Sequence, residues 1–434
     1  MLRNPKLAFL AALLASACIW FYVQRVLIPY EKADALAHSR PRGILSDLYP
    51  RWMGARALLL QHEDPYSDEV TREIQIGYYG RLLDSSRSED PKDQQRFAYP
   101  VYVVFLLAPT VHLSFPTVQA MFRWGLGLAT AIGALCWLRF LRWCLNCWLC
   151  ASLIVLVASC FPSVQGIKLQ QLSLLVGALL AASALSLATG RLFLAGALLA
   201  LATIKPQLAV LLAAWLMLWT LARWRQRQSF FLGFGATLAI LVGGSEYLLP
   251  GWMLKFVDAM AAYERYTGGG SLLDLMAGRT AGALLAAACI AGTAVVCWRA
   301  RRADAGTEEF AVVTALVLAV TVVVVPMMAP YNQVLLVPAI FLILRHWRRL
   351  WSAGPGSRIA AILAAIVVLW PWPVSLAMVV ASLVWPPAIV QRAWAVPLWT
   401  SIAVPILLLP LIASLVRARL RASSPTAATP PAVT

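Results

Sequence analysis

The chain has 434 residues, of which 61% are hydrophobic and 13% are charged, with a formal net charge of +17 and a mean hydropathy of +0.74. A soluble domain normally carries about twice that share of charged residues, so this composition excludes a soluble globular protein. The charges are also uneven, because residues 29–97 hold 12 of the 19 carboxylates and 10 of the 36 Lys and Arg. We therefore expect a membrane protein whose chemistry is concentrated in one polar loop, 29–97.

Apolar runs long enough, or nearly long enough, to span a hydrocarbon core of about 30 Å recur along the whole chain. Such runs must be helices, because lipid offers no partner to main-chain polar groups. The predicted fold class is all-α, with about ten to thirteen transmembrane helices in a single membrane-embedded domain over 1–422. The runs are 7–28, 116–138, 149–164, 172–189, 193–222, 229–249, 280–298, 310–325, 334–344, 358–390 and 395–416.

Three segments at or near the ends of these runs need separate interpretation. The first run follows Arg3 and Lys6 and is long, which favours an uncleaved anchor helix over a cleaved secretory signal. Residues 99–113 predict a short piece that enters the membrane without crossing it. The tail 423–434 is rich in Pro, Ala and Thr, and we predict that it is disordered.

Basic clusters predict the orientation, because Lys and Arg near helix ends are retained in the cytoplasm. Arg3 and Lys6 place the N-terminus inside, so that one crossing places the loop 29–97 outside. Other clusters placed inside are Arg139/Arg142, Arg223/Arg225/Arg227, Arg299/Arg301/Arg302 and Arg345/Arg348/Arg349. The segments that then join the loop outside are 165–171, 204–207, 250–279 and 326–333. The prediction is a multi-pass protein of the cell (inner) membrane with an extracytoplasmic active site.

The eight cysteines all lie in or beside apolar runs, which gives no indication of an extracytoplasmic disulfide framework. Cys144, Cys147 and Cys150 have a spacing of three that could suit a metal. No His or fourth Cys follows nearby, so we interpret them as buried free thiols rather than as ligands.

Asp47 is the most interesting carboxylate of the polar loop, and two roles for it stay open. It precedes a mixed apolar and basic stretch, 52–60, which predicts a helix at the membrane interface. Asp47 could be the N-cap of a helix over 48–60, or it could take part in the chemistry. Asp64, before Pro65, is typical of a turn, and Tyr99 before Pro100 is typical of an interfacial anchor at a helix start.

Lys205 lies within an apolar run, where a charge costs about 2.5 kcal/mol or more unless it is paired. It therefore needs an anion. Pro206 breaks the helix beside it, so that free main-chain groups would face the same point. Neutral and basic side chains at other helix ends on that side are Lys168, Gln170, Gln171, Tyr331, Asn332 and Gln333. Together they predict a cationic, amide-rich pocket that suits an anionic lipid with a polyhydroxylated head.

The sequence at these positions resembles the polytopic GT-C glycosyltransferases, and most closely the polyprenyl-phosphate-mannose-dependent mannosyltransferases of glycosyltransferase family 87. The resemblance spans about residues 10–345 and rests on the order and spacing of motifs that are weak one by one. It departs from the family's pattern at Val101 and Gln170, where the family often has Pro and Gly. The matching motifs are Ser46-Asp47-Leu48-Tyr49, Asp64-Pro65-Tyr66, Phe97-Ala98-Tyr99-Pro100, Gln171-Leu172-Ser173, Gly196 to Lys205-Pro206, and Pro330-Tyr331-Asn332-Gln333.

This resemblance implies a sugar transfer at the extracytoplasmic face, with Asp47 as the general base. A hexose, mannose above all, would pass with inversion from a polyprenyl-phosphate donor to a glycolipid or glycan acceptor. Lys205 would bind the donor phosphate, with Lys168, Arg265 and Arg279 as weaker candidates. The candidates for sugar and acceptor binding are Tyr49, Trp52, Asp64, Tyr99, Gln170, Gln171, Tyr331, Asn332 and Gln333.

The expected partners are membrane lipids and the two substrates, and no nucleic acid. No cofactor is expected, since Asp47 and Asp64 alone are too few ligands for a divalent cation. The glycine-rich stretch 267–271 favours a linker over a lid. The main alternative function is a lipid or lipid-linked-sugar transporter, for which a helix broken at Lys205-Pro206 is equally natural, although the halves show no convincing repeat. A polymerase or ligase would place its polar loop late in the chain.

Overall fold

The computed structural model describes most of the chain, namely residues 4–39, 46–84, 86–326 and 328–422. Every regular element in these ranges is a helix, so the predicted all-α class is confirmed. Arg3 and the tail 423–434, for which we predicted a cytoplasmic position and disorder, lie outside the described residues.

Helices α1 to α11 occupy the N-terminal half of the chain. A π-helical turn, Val23–Leu27, continues α1 directly into α2, and a second one, Ala57–Gln61, extends α3. The bounds are α1 Pro5–Tyr22, α2 Ile28–Ala37, α3 Leu48–Arg56, α4 Asp68–Tyr79, α5 Val103–Leu107, α6 Phe115–Phe140, α7 Cys147–Ser159, α8 Phe161–Lys168, α9 Ser173–Ala188, α10 Leu192–Ala202 and α11 Pro206–Leu221.

Helices α12 to α22 follow in the C-terminal half, where a 3₁₀ segment, Pro330–Leu336, leads into α17. The bounds are α12 Trp224–Leu248, α13 Trp252–Thr267, α14 Leu272–Ala277, α15 Arg279–Ala300, α16 Glu308–Val324, α17 Val337–Arg345, α18 Trp347–Ser352, α19 Pro355–Leu369, α20 Pro371–Val384, α21 Pro387–Gln391 and α22 Ala403–Ala422.

Among the described residues, five helical stretches are long and apolar enough to cross a membrane, or seven if each of two bent pairs is one span. The bends are 52° between α7 and α8 and 40° between α19 and α20. Four shorter apolar stretches, α9, α10, α11 and Pro330–Arg345, would bring the total to eleven if they also cross. A polytopic membrane protein is thus confirmed. The five long stretches are Pro5–Ala37, Phe115–Phe140, Trp224–Leu248, Arg279–Ala300 and Pro387–Leu420.

Proline residues begin several helices at points where an apolar run is interrupted. Pro206 is the first residue of α11, and Pro371 is the first residue of α20. A missing N–H is harmless at the first helical position, because that group has no partner inside the helix. The predicted break beside Lys205 is therefore confirmed, with α10 ending at Ala202 and α11 starting at Pro206.

The core is built around α16, which is apolar and buried on all sides from Phe310 to Val323. A helix that is hydrophobic around its whole circumference is expected at the centre of a bundle. Helices α11, α15 and α22 pack against it, while α9 packs between α6 and α10.

The polar loop is partly helical, and its helix α3 is not the interfacial helix that we predicted. Buried residues of α3 include Leu48, Pro50, Trp52 and Ala55, and the helix packs against α4 and α5. It is therefore an internal helix. The reason is that α4 and the chain entering α5 cover it, which the pattern of apolar and basic residues did not reveal. Within 99–113 the main helix is α5, far shorter than the membrane is thick.

Helices α10 and α12 approach so closely that their contact admits only glycine. A Cβ atom added at Gly233 would lie 2.0 Å from the main-chain oxygen of Phe193, and one added at Gly196 would lie 2.1 Å from that of Phe230. Small residues at helix crossings let two backbones touch, which is the usual way that helices associate in membranes.

We predict that Gly233→Ala lowers the thermal stability of the detergent-purified protein, because α10 and α12 must separate to admit the methyl group. Overpacking of this kind costs about 1–3 kcal/mol. The matched control is Gly235→Ala on the same helix, where nothing lies within 4 Å of an added Cβ. Equal melting temperatures for the two variants would contradict the prediction.

Candidate active site

Asp47 occupies the N-cap position of α3, but its side chain does not cap the helix. Its Oδ2 atom instead accepts a hydrogen bond from Nε2 of Gln171, which is 124 residues away in the chain. The sequence left two roles open for Asp47, and the structure shows that its carboxylate is not used as a helix N-cap. The bond ties the polar loop to the start of α9.

The turn between α8 and α9 holds Gln171 in this position. Gln170 has a left-handed backbone, with φ of 48°, and its side-chain amide donates to the main-chain oxygens of Ile167 and Lys168 at 2.6 and 2.9 Å. The main-chain N–H of Gln171 donates to the Gly166 oxygen at 2.8 Å. Gln170 thus shapes the turn, and Gln171 projects toward Asp47.

Lys205 lies at the break between α10 and α11 and is only 6% exposed. Its ammonium donates to Oε1 of Gln171 at 2.8 Å and to Oγ of Ser173 at 2.7 Å. The Ser173 hydroxyl in turn donates to Oδ1 of Asn332 at 2.8 Å. A continuous hydrogen-bonded row therefore joins Asp47, Gln171, Lys205, Ser173 and Asn332, which come from four separate segments of the chain.

Two tyrosine rings border this row. The Lys205 ammonium lies 5.9 Å from the centroid of the Tyr99 ring and 5.0 Å from that of Tyr331. Arg51 also contacts Tyr99, with its guanidinium carbon 4.7 Å from the ring centroid. Aromatic faces attract cations and exclude water at the same time. The cations of the site are thus held against apolar surfaces.

A second carboxylate, Asp93, belongs to the same electrostatic environment. Burial raises the pKa of the Asp93 carboxyl. The hydrogen bond from the Gln95 main chain and the charge of Arg51 partly offset this rise, whereas the negative charge of Asp47 adds to it. Its Oδ1 atom accepts from the Gln95 N–H at 2.9 Å. Burial likewise raises the pKa of Tyr263 in α13 to about 12, with a contribution from Asp93. The loop and α13 therefore meet beside the site.

Several predicted site residues are engaged elsewhere. Lys168 forms an ion pair with Glu31 of α2, and Asp64 pairs with Lys255 of α13 at 2.8 Å. Asp64 also accepts from the main chain of Tyr66, which is the turn role expected for it. Gln333 donates to the main-chain oxygen of Ser401 at 2.6 Å.

The remaining candidates lie in packing contacts or at the surface. Tyr49 and Trp52 pack against each other, with ring centroids 5.9 Å apart, and both contact Phe115. Arg265 and Arg279 are exposed, and Arg279 donates to the main-chain oxygen of Gly268 at 3.2 Å. The structure thus brings Asp47, Gln171, Lys205, Tyr99, Tyr331 and Asn332 together, and it places the other candidates in separate contacts.

Sequence reasoning did not identify Arg51, Ser173 or Asp93 as site residues. A signal for Arg51 was present, since it follows Asp47 by four residues and such pairs share one face of a helix. Ser173 stood within the motif at the start of α9. Nothing in the sequence marked Asp93, whose relation to Asp47 depends on the path of the loop.

Cysteines and metal ligands contribute nothing to this cluster. Within the described ranges, no three His, Cys, Asp or Glu side chains are grouped so as to hold a metal ion. Cys144 and Cys147 are exposed free thiols, so our expectation that they are buried was wrong; they lie at the start of α7, outside the packed core.

Residues 97–328 of the chain match a known protein family. The sequence model of glycosyltransferase family 87 matches residues 97–328, which is more than half of the chain. The chain belongs to glycosyltransferase family 87. The matched region of this glycosyltransferase includes Tyr99, Gln171 and Lys205, whereas Asp47 precedes it and Asn332 follows it. Neither the search of curated proteins nor that of solved structures found a match.

We predict that Asp93→Asn stabilises the glycosyltransferase relative to wild type increasingly as the pH rises above about 4, the ordinary pKa of an aspartate. Because the folded-state pKa of Asp93 is raised, the folded state favours its protonated form, and stability is lost as the group ionises. Asparagine stays neutral throughout. The measurement is the difference in melting temperature between variant and wild type at each pH.

Asp84→Asn is the control, because it should change with the opposite sign. Hydrogen bonds from the Ser86 side chain and main chain lower the pKa of Asp84, so its contribution to stability is present at neutral pH and is lost on acidification. A pH-independent difference for Asp93→Asn would show that its ionisation is not coupled to folding.

Proposed function

We propose that this glycosyltransferase transfers a hexose, with mannose as the first candidate, from a polyprenyl-phosphate donor to a glycolipid or glycan acceptor. The observation that carries the proposal is the buried ammonium of Lys205, which is bound to two neutral oxygens beside a carboxylate. The family supplies the reaction class, and it favours an enzyme over the transporter alternative. The residues supply the substrate class.

The buried charge of Lys205 favours an anionic substrate. An ion removed from water loses several kcal/mol of solvation, and neutral hydrogen bonds restore only part of it. Gln171 and Ser173 therefore orient the Lys205 ammonium without neutralising it. A lipid-linked phosphate would complete the site, and it would reach Lys205 from within the membrane.

Asp47 is suited to be the general base of the transfer. Gln171 fixes one carboxylate oxygen, which leaves the other oxygen to accept the proton of an acceptor hydroxyl. That hydroxyl oxygen would bond to the anomeric carbon as the bond from this carbon to the phosphate oxygen breaks, and the prenyl phosphate would leave with the electron pair. Attack from the face opposite the phosphate inverts the configuration. Lys205 would stabilise the negative charge that grows on the phosphate.

An apolar groove supports a lipid-linked donor. Two adjoining open grooves lie between α7, α17, α19 and α22 and share four lining residues; about 870 and 500 Å³ of empty space lie within and over them. The smaller one reaches Gln333, whose neighbour Asn332 belongs to the polar row. A prenyl chain in this groove would place its phosphate end near the polar site. The shared residues are Cys160, Val337, Ile340 and Val368.

The membrane orientation follows from the basic clusters. Arg345 donates to the main-chain oxygen of Leu141, and Arg223 pairs with Asp304 at 2.6 Å, so clusters distant in sequence meet in space. Helices α11 and α16 each connect that basic region to the polar row. With basic residues retained in the cytoplasm, the N-terminus is cytoplasmic and the site lies on the extracytoplasmic face of the cell membrane.

The proposed reaction demands no cofactor, because the negative charge that grows on the leaving phosphate would be stabilised by Lys205. Its partners are the lipid-linked donor, the acceptor and membrane lipids, and no nucleic acid.

Mass spectrometry of envelope glycolipids and glycans from a deletion strain would identify the sugar and the acceptor. We expect one hexose residue to be missing, and an unchanged glycan and glycolipid profile would count against the proposal.

We predict that Asp47→Asn lowers kcat by about 10²–10⁴-fold, which is the usual contribution of a positioned general base. Binding of the polyprenyl-phosphate sugar should change little, since the amide can still accept a bond from Gln171. Both are measured on purified protein with a labelled donor. Glu69→Gln, an exposed carboxylate of the same loop, is the control and should retain activity. Full turnover by Asp47→Asn would eliminate this residue as the base.

We predict that Lys205→Met weakens donor binding by about tenfold or more, because hydrogen bonds to charged groups contribute about 1.5–3 kcal/mol. The acceptor KM should change less. Lys32→Met, at an exposed position of α2, is the matched control for loss of one lysine. Wild-type donor affinity in Lys205→Met would remove this residue from the phosphate site.

A further inference from the structure

Arg51 is a cation of the site to which the proposed reaction assigns no role. Its Nη1 atom donates to the main-chain oxygen of Asp47 at 2.7 Å, and its guanidinium faces the Tyr99 ring. In the part of the chain that the structure describes, its Nε atom is buried without a hydrogen-bond partner. A buried N–H without an acceptor is costly, and most such groups in proteins are bonded. The Nε–H group of the guanidinium therefore lacks an acceptor.

Lys205 approaches the same tyrosine ring as Arg51. The ammonium and the guanidinium lie 5.9 and 4.7 Å from the ring centroid of Tyr99. The hydrogen bonds of both cations go to neutral oxygens, those of Asp47 (main chain), Gln171, Ser173 and the Tyr99 hydroxyl. With the buried Asp93 carboxyl protonated, which its raised pKa favours, two cations beside the Asp47 carboxylate leave a single positive charge. A monoanionic phosphodiester has the charge that balances it.

We propose that Arg51 and Lys205 together form the site for the lipid-linked phosphate, with Arg51 binding through the guanidinium edge that contains Nε. The inference rests on the proposed function for the presence of a phosphate donor. A guanidinium presents two parallel N–H groups that match two phosphate oxygens, whereas an ammonium acts as a single point charge. Arg51 thus orients the phosphate, and Lys205 adds charge.

The spacing of Asp47 and Arg51 fixes the position of one residue relative to the other. The two residues are one helical turn apart in α3, and the bond from Nη1 to the Asp47 carbonyl holds them together. The base and the phosphate-binding cation are therefore fixed on one rigid element. Only the sugar has to fit between them.

Arg56 is a matched control on the same helix. Its guanidinium lies 4.8 Å from the Trp52 ring centroid, and its Nη1 atom donates to the main-chain oxygen of Val111. Like Arg51, Arg56 therefore contacts an aromatic ring and donates a hydrogen bond to a main-chain carbonyl oxygen. Both arginines are half-buried. It has no part in the polar row. Loss of either arginine should disturb packing to a similar degree.

The experiment measures binding of undecaprenyl phosphate and of the neutral alcohol undecaprenol to the purified full-length protein. We expect Arg51→Gln to weaken phosphate binding by about tenfold to hundredfold and to leave alcohol binding unchanged, because only the charged headgroup is contacted. Arg56→Gln should leave both affinities at the wild-type level. Arg51→Lys should bind the phosphate several-fold more weakly than wild type, since it keeps the charge but loses the fork.

The affinities of wild type and variants for the phosphate and the alcohol decide between these outcomes. Wild-type phosphate affinity in Arg51→Gln overturns the assignment, as does an equal loss for phosphate and alcohol. If Arg51→Gln does not fold, Arg51→Lys decides, and wild-type phosphate affinity in that variant overturns the assignment. If the wild-type protein itself does not prefer the phosphate to the alcohol, the proposed donor class fails and the inference fails with it. Preference retained by wild type and lost by Arg51→Gln supports both.

Discussion

The ammonium of Lys205 is buried in a bundle of apolar helices, where a charge is tolerated only with hydrogen-bond partners. Its partners, Gln171 and Ser173, come from the start of α9, and they reach it because Pro206 ends the preceding helical run. The same Gln171 amide binds Asp47 through its other end. One charge and its need for partners therefore set the position of the polar loop relative to the membrane-embedded helices.

This arrangement separates the polar and apolar contacts that the proposed lipid-linked substrate would need. The polar contacts of the site lie at helix ends and in the loop, where the backbone is irregular and free groups are available. The groove between α7, α17, α19 and α22 is lined mainly by apolar side chains and reaches Gln333, whose neighbour Asn332 belongs to the polar row. The rings of Tyr99 and Tyr331 lie against the Lys205 ammonium, and burial of that ammonium in a low dielectric strengthens the effect of its charge.

Predictions that rested on hydropathy or on a single strong local preference were confirmed, as the break at Lys205-Pro206 and the turn at Asp64 show. The structure departs from two predictions that depended on how segments pack, those for helix α3 and for Lys168. Helix α3 was expected at the interface and is internal, because α4 and the chain entering α5 cover it. Lys168 was expected near the phosphate and pairs with Glu31, because α2 continues α1 and carries a carboxylate to it. Arg51 was overlooked although its four-residue spacing from Asp47 was visible.

The sequence by itself determined that the protein is an all-α membrane protein, that one loop carries most of its acidic residues, and that a lysine beside a proline needs an anionic partner. These follow from composition and local spacing, because hydrocarbon excludes unpaired polar groups wherever they occur. Only the tertiary structure decided which side chains meet. The bonds from Gln171 to Asp47 and from Ser173 to Asn332 join residues 124 and 159 positions apart. Such contacts depend on how helices pack and how the loop returns across them, and the local sequence does not encode that geometry.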